Sequence, residues 1–166
     1  MAKKPEHMTS LIGSTLVPKN HPRIVLRGKL DSLQAQVVLI QCELTDKAQV
    51  KNLQDILNCL RELTRCEVLD QPFEQDTLFG QSYADLQKQS HNPQKYFGVA
   101  VLHLPDYKFG RDYALLNTLR TAIRETELIA VEAFKTEDGL SRGDIVLALN
   151  RLSSAVYVLM CQMIAE

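Results

Sequence analysis

Apolar residues recur at every third or fourth position over most of this chain, which is the spacing that places side chains on one face of a helix. The pattern predicts one helix over residues 23–44 and a second over residues 46–66. Thr45 or Asp46 stands where a short polar side chain can cap the second helix by accepting hydrogen bonds from its free backbone amides. The first half of the chain is therefore predicted to hold two long amphipathic helices.

The second half of the chain carries the strongest helical pattern, over residues 112–135. Asp112 lies at the start of this helix, where the helix dipole favours a carboxylate, and Asp138 and Gly139 are predicted to end it. Residues 144–165 form a last helix that is apolar almost all round, so we expect it at the centre of the molecule. A short helix is also predicted over residues 81–90.

The segments outside these helices favour loops. Residues 1–22 are polar, contain three prolines and are predicted to form an extended arm or loop. Residues 97–104 have strand-like composition but are flanked by prolines, so we expect an ordered loop or a short extended piece. No strand pairs are predicted. The fold class is thus expected to be all-α: a bundle of about five helices over residues 23–166, preceded by an N-terminal arm over residues 1–22.

The composition is that of a single globular domain. The 166 residues are 45% apolar and 23% charged, and no stretch of 18 uninterrupted apolar residues is present, so we expect no membrane association. The N-terminus is not followed by the apolar core of a secretion signal, and the four cysteines have neither zinc-site nor disulfide spacing. These features predict a cytoplasmic protein with reduced thiols. The net charge of −1 argues against nucleic acid as a partner.

Two arginines and a glutamate share one face of the strongest predicted helix. Arg120, Arg124 and Glu127 follow each other at i, i+4 and i+7, and Asn150 and Arg151 interrupt the apolar pattern of the last helix. Charges among apolar side chains are costly unless they are paired or bound to a ligand. This face therefore indicates either an anion site or an internal network of ion pairs.

Several common catalytic sites are absent from the sequence. No histidine has a glutamate three residues before it, which argues against the carboxylate-bridged metal site of helical bundles, and we expect no protein metal site. No glycine-rich phosphate motif and no nucleophile elbow is present. A hydrolase of the serine–histidine–aspartate type and a ferritin-like enzyme are therefore not favoured.

Two further features leave alternatives open. Thr9, Gly13 and Lys19 lie in a basic N-terminal arm that either grips a polyphosphate or is a solvated tail. Asp31 lies in the first predicted helix close to Gly28, where a structural salt bridge to a buried arginine is the favoured interpretation.

Taken together and in this order, several segments of residues 7–163 resemble one protein family. The segments are 9–13 (TSLIG), 18–19 (PK), 22–32 (PRIVLRGKLDS), 110–117 (GRDYALLN), 120–127 (RTAIRETE) and 148–154 (ALNRLSS) with Tyr157. The combination is similar to the PduO/EutT-type ATP:cob(I)alamin adenosyltransferases, closest to the ethanolamine-utilisation branch.

The resemblance implies a five-helix bundle that assembles as a homotrimer with active sites between adjacent subunits. The implied reaction transfers the 5′-deoxyadenosyl group of ATP to cob(I)alamin and releases tripolyphosphate, with Mg²⁺ accompanying the nucleotide. The cobalt(I) ion is the nucleophile, so the protein contributes positioning and electrostatics rather than a catalytic serine or cysteine.

The resemblance also implies a role for each candidate residue. Thr9 and Lys19 correspond to the phosphate-binding arm, and Arg124, Glu127 and Asn150 correspond to the nucleotide site on the last two long helices. Within this set, catalysis is expected to depend on Arg124, Glu127 and Lys19. Asp31 and Arg120 correspond to a salt bridge across the subunit interface.

The chain departs from the family pattern in the arm and near the corrinoid. The Gly-Asp-x-Gly stretch of the PduO branch is missing, and the His/Cys metal cluster usual in an N-terminal extension of the EutT branch would precede this chain. Leu102 holds the aromatic position expected to shield the lower cobalt face, and Phe97 and Phe109 are the alternative residues for this role. Alternatives are a non-catalytic corrinoid- or nucleotide-binding module, a fragment of a larger adenosyltransferase, and a helical trimeric scaffold.

Overall fold

A computed structural model of the chain describes residues 4–100 and 104–165, and these residues form the predicted helical bundle. The helices are α1 (Pro22–Glu43), α2 (Lys47–Val68), α3 (Tyr83–His91), α4 (Pro93–Phe97), α5 (Arg111–Phe134) and α6 (Gly143–Met163). A 3-10 turn, Tyr107–Phe109, precedes α5. The all-α prediction is confirmed, and the helix beyond the five expected is the five-residue α4, which Pro93 begins.

The core is built around α6, as its apolar composition predicted. This helix packs against α5, α3 and α2, and α1 packs on the other side of α5. By length and composition α6 would also pass for a membrane span, but 61% of its apolar window is buried inside the bundle. Its apolar character is therefore that of a core helix surrounded by other helices.

Polar side chains form hydrogen bonds with backbone amides at the ends of the helices. Asp46 caps α2, its Oδ1 accepting from the Ala48 amide at 2.8 Å. Asp112, in the first turn of α5, is buried and accepts from the Thr45 hydroxyl at 2.8 Å and from the Asp46 amide at 3.1 Å. Burial alone would raise the pKa of Asp112, but these hydrogen bonds hold it below its usual value. The carboxylate thereby fastens the start of α5 to the turn between α1 and α2.

Three short antiparallel hairpins in the described residues were not predicted. They pair β1 (Met8–Ser10) with β2 (Leu16–Pro18), β3 (Thr77–Leu78) with β4 (Gln81–Ser82), and β5 (Lys135–Thr136) with β6 (Gly139–Leu140). The N-terminal arm, predicted as an extended arm or loop, thus contains a hairpin. Strands of two or three residues are too short to show an alternating pattern in the sequence.

The end of α5 also differs from the prediction. The helix stops at Phe134, Glu137 and Asp138 form the turn of the hairpin that follows, and Gly139 begins its second strand. Gly139 has a φ of 145°, a backbone conformation that other residues rarely adopt. The Asp-Gly pair predicted to end the helix therefore lies at the junction of the hairpin turn and its second strand.

The segment with strand-like composition forms no strand in its described residues. Phe97 ends α4, and Gly98 caps that helix with a φ of 71°. Residues 101–103, and with them Leu102, lie outside the described part of the chain.

Candidate functional site

A cleft of about 570 Å³ opens between α5, α6 and the C-terminal end of α3. Arg120, Arg124 and Asn150, all singled out from the sequence, line it. Leu104 and Pro105 form part of its wall, and Leu104 is 82% exposed. A cleft with exposed apolar groups beside charged ones has the character of a ligand site.

The two arginines of the cleft lie side by side without a carboxylate partner among the described residues. Arg120 is half-buried and donates from Nε and Nη2 to Oδ1 of Asn117 at 3.1 and 2.9 Å. Burial lowers the pKa of Arg120, and the positive charge of Arg124 lowers it further. The Arg120 guanidinium nevertheless stays charged at neutral pH. The contacts of the two arginines favour the anion site over the ion-pair network.

Glu127 and Asn150 are joined by a hydrogen bond. Asn150 Nδ2 donates to Glu127 Oε1 at 3.0 Å, while Arg151 Nη1 donates to Asn150 Oδ1 at 2.6 Å. These hydrogen bonds connect α5 to α6 directly beside the two arginines. It also fixes the orientation of the Asn150 amide, because each end of that amide has a partner.

The candidate residues of the arm lie apart from the cleft within one chain. Thr9 is in β1, paired with Val17 of β2, and Lys19 follows β2 with its backbone amide donating to the carbonyl of His7 at 2.8 Å. The Lys19 side chain is exposed. Neither Thr9 nor Lys19 belongs to the wall of the cleft. One chain therefore does not bring the arm and the arginines into a single pocket.

Asp31 and Arg120 are not paired within the chain. Asp31 is exposed on α1 and forms no salt bridge with a described residue, and the guanidinium of Arg120 bonds Asn117 instead. Among the described residues of one chain, Asp31 therefore does not form the structural salt bridge that the sequence favoured. The pairing across a subunit interface stays a prediction.

The two aromatic candidates of the corrinoid face are placed differently. Phe97 is half-buried and packs against the core from the end of α4. Phe109 lies in the 3-10 turn and contacts Tyr113, with ring centroids 4.9 Å apart and ring planes at 52°. Tyr113 lines the cleft, so Phe109 supports its wall, whereas Phe97 does not reach it. Leu102 lies outside the described residues.

Several lining residues were assigned no role in the site from the sequence. Ser90 and His91 come from the end of α3, Tyr113 from α5, and Ser154 and Tyr157 from α6. Burial raises the pKa of Tyr157 to about 12, so its hydroxyl stays protonated at neutral pH. On α6 a signal existed, because positions 150, 154 and 157 are one polar face of an otherwise apolar helix. For α3 no local signal marks the residues, since only the packing brings them to the cleft.

The sequence also gave no indication of a buried cluster of ion pairs near the N-terminal end of α1. Glu67, in the last turn of α2, is 0% exposed and accepts from Arg23 Nε at 2.6 Å and from Arg27 Nε at 2.5 Å. Arg23 additionally stacks over Phe134, with its guanidinium carbon 5.6 Å from the ring centroid. Arg27 and Arg23 lie 40 and 44 positions from Glu67 in the chain, so only the fold reveals the cluster.

The fold and the cleft define a class of protein, a helical bundle with a cationic cleft suited to an anionic ligand. More particularly, the chain belongs to the cobalamin adenosyltransferase family, whose sequence profile matches residues 1–163. This family assignment agrees with the resemblance carried by the arginine–glutamate helix and the last helix.

Curated relatives indicate which branch of the family this chain resembles. The chain is 42% identical over 161 residues to the corrinoid adenosyltransferase EutT of Escherichia coli strain K12, covering 96% of this chain and 60% of that protein. It is 40% identical over 167 residues to EutT of Salmonella typhimurium strain LT2, covering 100% of this chain and 62% of that protein. The chain therefore spans about three fifths of the length of these relatives.

Solved structures share the fold. Two variants of a PduO-type ATP:corrinoid adenosyltransferase from Lactobacillus reuteri, each complexed with cobalamin and ATP, superpose with TM-scores of 0.74 and 0.72. The sequence identities are 18% and 19%, and both matches cover 95% of this chain, with 88% and 86% of the Lactobacillus chains. At this identity the likeness concerns the fold.

Proposed function

We propose that this chain transfers the 5′-deoxyadenosyl group of ATP to the cobalt of cob(I)alamin, forming adenosylcobalamin and tripolyphosphate. Ethanolamine utilisation is the corresponding pathway, because the similar curated proteins are EutT enzymes. The proposed location is the cytoplasm, where ATP is available.

One observation carries the proposal: the adjacent guanidinium groups of Arg120 and Arg124 face a cleft without a carboxylate partner in the part of the chain that the structure describes. Two like charges held side by side favour an anion between or beside them. A triphosphate is such an anion, and guanidinium groups bind phosphate oxygens with paired, directional hydrogen bonds.

In the proposed reaction the electron pair of cobalt(I) forms the bond to C5′ of ATP, and the C5′–O bond breaks toward the triphosphate. No proton is transferred, so no general acid or base is needed. Arg124 and Lys19 offset the negative charge that gathers on the leaving group. Glu127 has acceptor capacity beyond its bond to Asn150 and orients the nucleoside together with that amide.

Mg²⁺ fits this site as a companion of the nucleotide rather than as a resident metal. Among the described residues no three carboxylate, histidine or cysteine side chains gather as a metal site. Mg²⁺ commonly takes its ligands from substrate phosphates, water and one or two carboxylates, and Glu127 is the carboxylate beside the arginines. When bound, the ion supplies additional positive charge to the triphosphate.

The corrinoid is proposed to lie against residues 97–109. Leu104 and Pro105 already form an apolar part of the cleft wall, and Phe109 braces Tyr113 from behind. Leu102, Phe97 and Phe109 remain the proposed apolar cover of the lower cobalt face. Such a cover keeps water off the metal, which favours reduction to cobalt(I).

A homotrimer is proposed as the active assembly. The separation of Thr9 and Lys19 from the cleft within one chain supports a site completed by the arm of a neighbouring copy. Exposed Asp31 on α1 would then meet Arg120 of that copy. Val38, Leu39 and Leu128 are 44%, 61% and 70% exposed, which gives the surface apolar area that an interface would cover.

The test is an anaerobic mixture of the protein, ATP and cob(I)alamin, followed by its visible spectrum. We expect the cob(I)alamin bands to give way to those of a light-sensitive alkylcobalamin, only when ATP is present. Binding of either substrate without this conversion would favour the alternative, a non-catalytic binding module or part of a larger enzyme. That alternative draws on the partial length of the match to the curated relatives.

A further inference from the structure

The N-terminal hairpin, β1–β2, has little support of its own. Its strands hold three residues each, and an isolated two-stranded hairpin is marginally stable in water. Its base is held where the Lys19 amide bonds the carbonyl of His7, immediately before α1. The turn at the other end, between Leu11 and Thr15, needs a contact from outside the hairpin to be held in place.

Arg27 of α1 supplies that contact. Its Nη2 donates to the carbonyl oxygen of Leu11 at 2.8 Å, while its Nε donates to Glu67 Oε2 at 2.5 Å. Among the described residues this is the one side-chain hydrogen bond that joins the hairpin to the helices beyond its own end. One guanidinium thus bridges the hairpin turn and a buried carboxylate.

Glu67 holds Arg27 in the orientation that reaches Leu11. Glu67 is fully buried, and Arg23 occupies its other oxygen as well as its backbone carbonyl, at 2.6 and 2.9 Å. Arg27 itself is only 18% exposed. A buried carboxylate between two arginines strongly resists losing either, so the direction of the Arg27 fork is fixed by the bundle.

We propose that Arg27 is a positioning residue for the nucleotide: anchored on Glu67, it holds the β1–β2 hairpin so that Thr9 and Lys19 are presented to the triphosphate. The part of this proposal that concerns ATP rests on the proposed function. The contacts of Arg27 with Glu67 and Leu11 do not depend on it. Because the hairpin is already ordered, ATP binding does not have to offset the entropy lost on ordering it. Arg27 is therefore expected to affect the affinity for ATP more than the chemical step.

The test is Arg27→Lys in the full chain. Lysine keeps a positive charge beside Glu67 but cannot donate in two fixed directions at once, so the contact to Leu11 is lost. The matched control is Arg65→Lys, which alters an arginine of α2 bonded to Glu62 and Gln71 at the surface. Hydrogen exchange of the peptide covering residues 8–19 and the KM for ATP are measured for both variants.

We expect exchange in this peptide about fivefold faster in Arg27→Lys, as for the loss of one hydrogen bond, with the helices unchanged. The KM for ATP should rise about fivefold with kcat within about twofold, and Arg65→Lys should match the wild type in both. Unchanged exchange, faster exchange spread over all helices, or a loosened hairpin with an unchanged KM would each overturn the proposal. If the wild type did not use ATP, the proposed function would fail. Hydrogen exchange would still show whether Arg27 holds the hairpin in place.

Discussion

Replacing Arg124 by alanine is expected to weaken ATP use strongly while leaving the bundle folded. The side chain is exposed in the cleft, and no described residue forms an ion pair with it, so its removal breaks no internal contact of that kind. Its charge lowers the pKa of the neighbouring Arg120, so its loss also relieves a repulsion. We therefore expect a melting temperature equal to that of the wild type or slightly higher.

The magnitude follows from the contact that would be lost. A hydrogen bond to a charged group contributes about 1.5–3 kcal/mol. With every 1.4 kcal/mol worth a factor of ten, kcat/KM for ATP should fall about 10- to 150-fold. The assay is the initial rate of cob(I)alamin consumption under anaerobic conditions at varied ATP concentrations.

Glu125→Ala is the matched control, because Glu125 is the next residue of α5 but faces α1. There it pairs with Lys29 at 3.1 Å, an exposed ion pair of small energetic weight. We expect this variant to keep wild-type kinetics. Normal turnover of ATP by Arg124→Ala, or an equal loss in both variants, would show that the cationic cleft is not the nucleotide site.

Three further predictions concern the interface, the corrinoid face and acid stability. Asp31→Ala and Arg120→Ala should be coupled in a double-mutant cycle on trimer dissociation by sedimentation equilibrium, and additivity within about 0.5 kcal/mol would show that the residues do not meet. Leu102→Phe should increase the four-coordinate cob(II)alamin signal in electron paramagnetic resonance with ATP, because a ring excludes more water than leucine; no change, with Phe97→Ala abolishing the signal, would assign the position to Phe97. The pKa of Asp112 is lowered from 3.8, so the Asp112 carboxylate stabilises the fold above that pH, and this stabilisation is lost as the pH falls through the folded-state pKa. The free energy of unfolding of Asp112→Asn in urea should therefore depend more weakly on pH below about 4. An unchanged pH dependence would show that Asp112 does not stabilise the fold in this way.

Local features of the sequence determined the helices and much of the candidate site. The three- to four-residue period of apolar positions placed the two long helices of each half within about two residues of their observed ends. The same period showed that α6 is central, because a helix apolar on every side must be surrounded. It also put Arg120 and Arg124 on one face, since neighbours on a helix surface are set by residue spacing alone.

The tertiary structure decided what depends on residues distant in the chain. Glu67 contacts Arg23 and Arg27 across 44 and 40 positions, and no local sequence pattern indicates such pairs. Asp112 was expected merely to favour the helix dipole, yet the fold brings it against the turn at Thr45, where it is buried. Side-chain period and capping act within one or two turns of a helix, whereas these contacts form only when separate helices pack together.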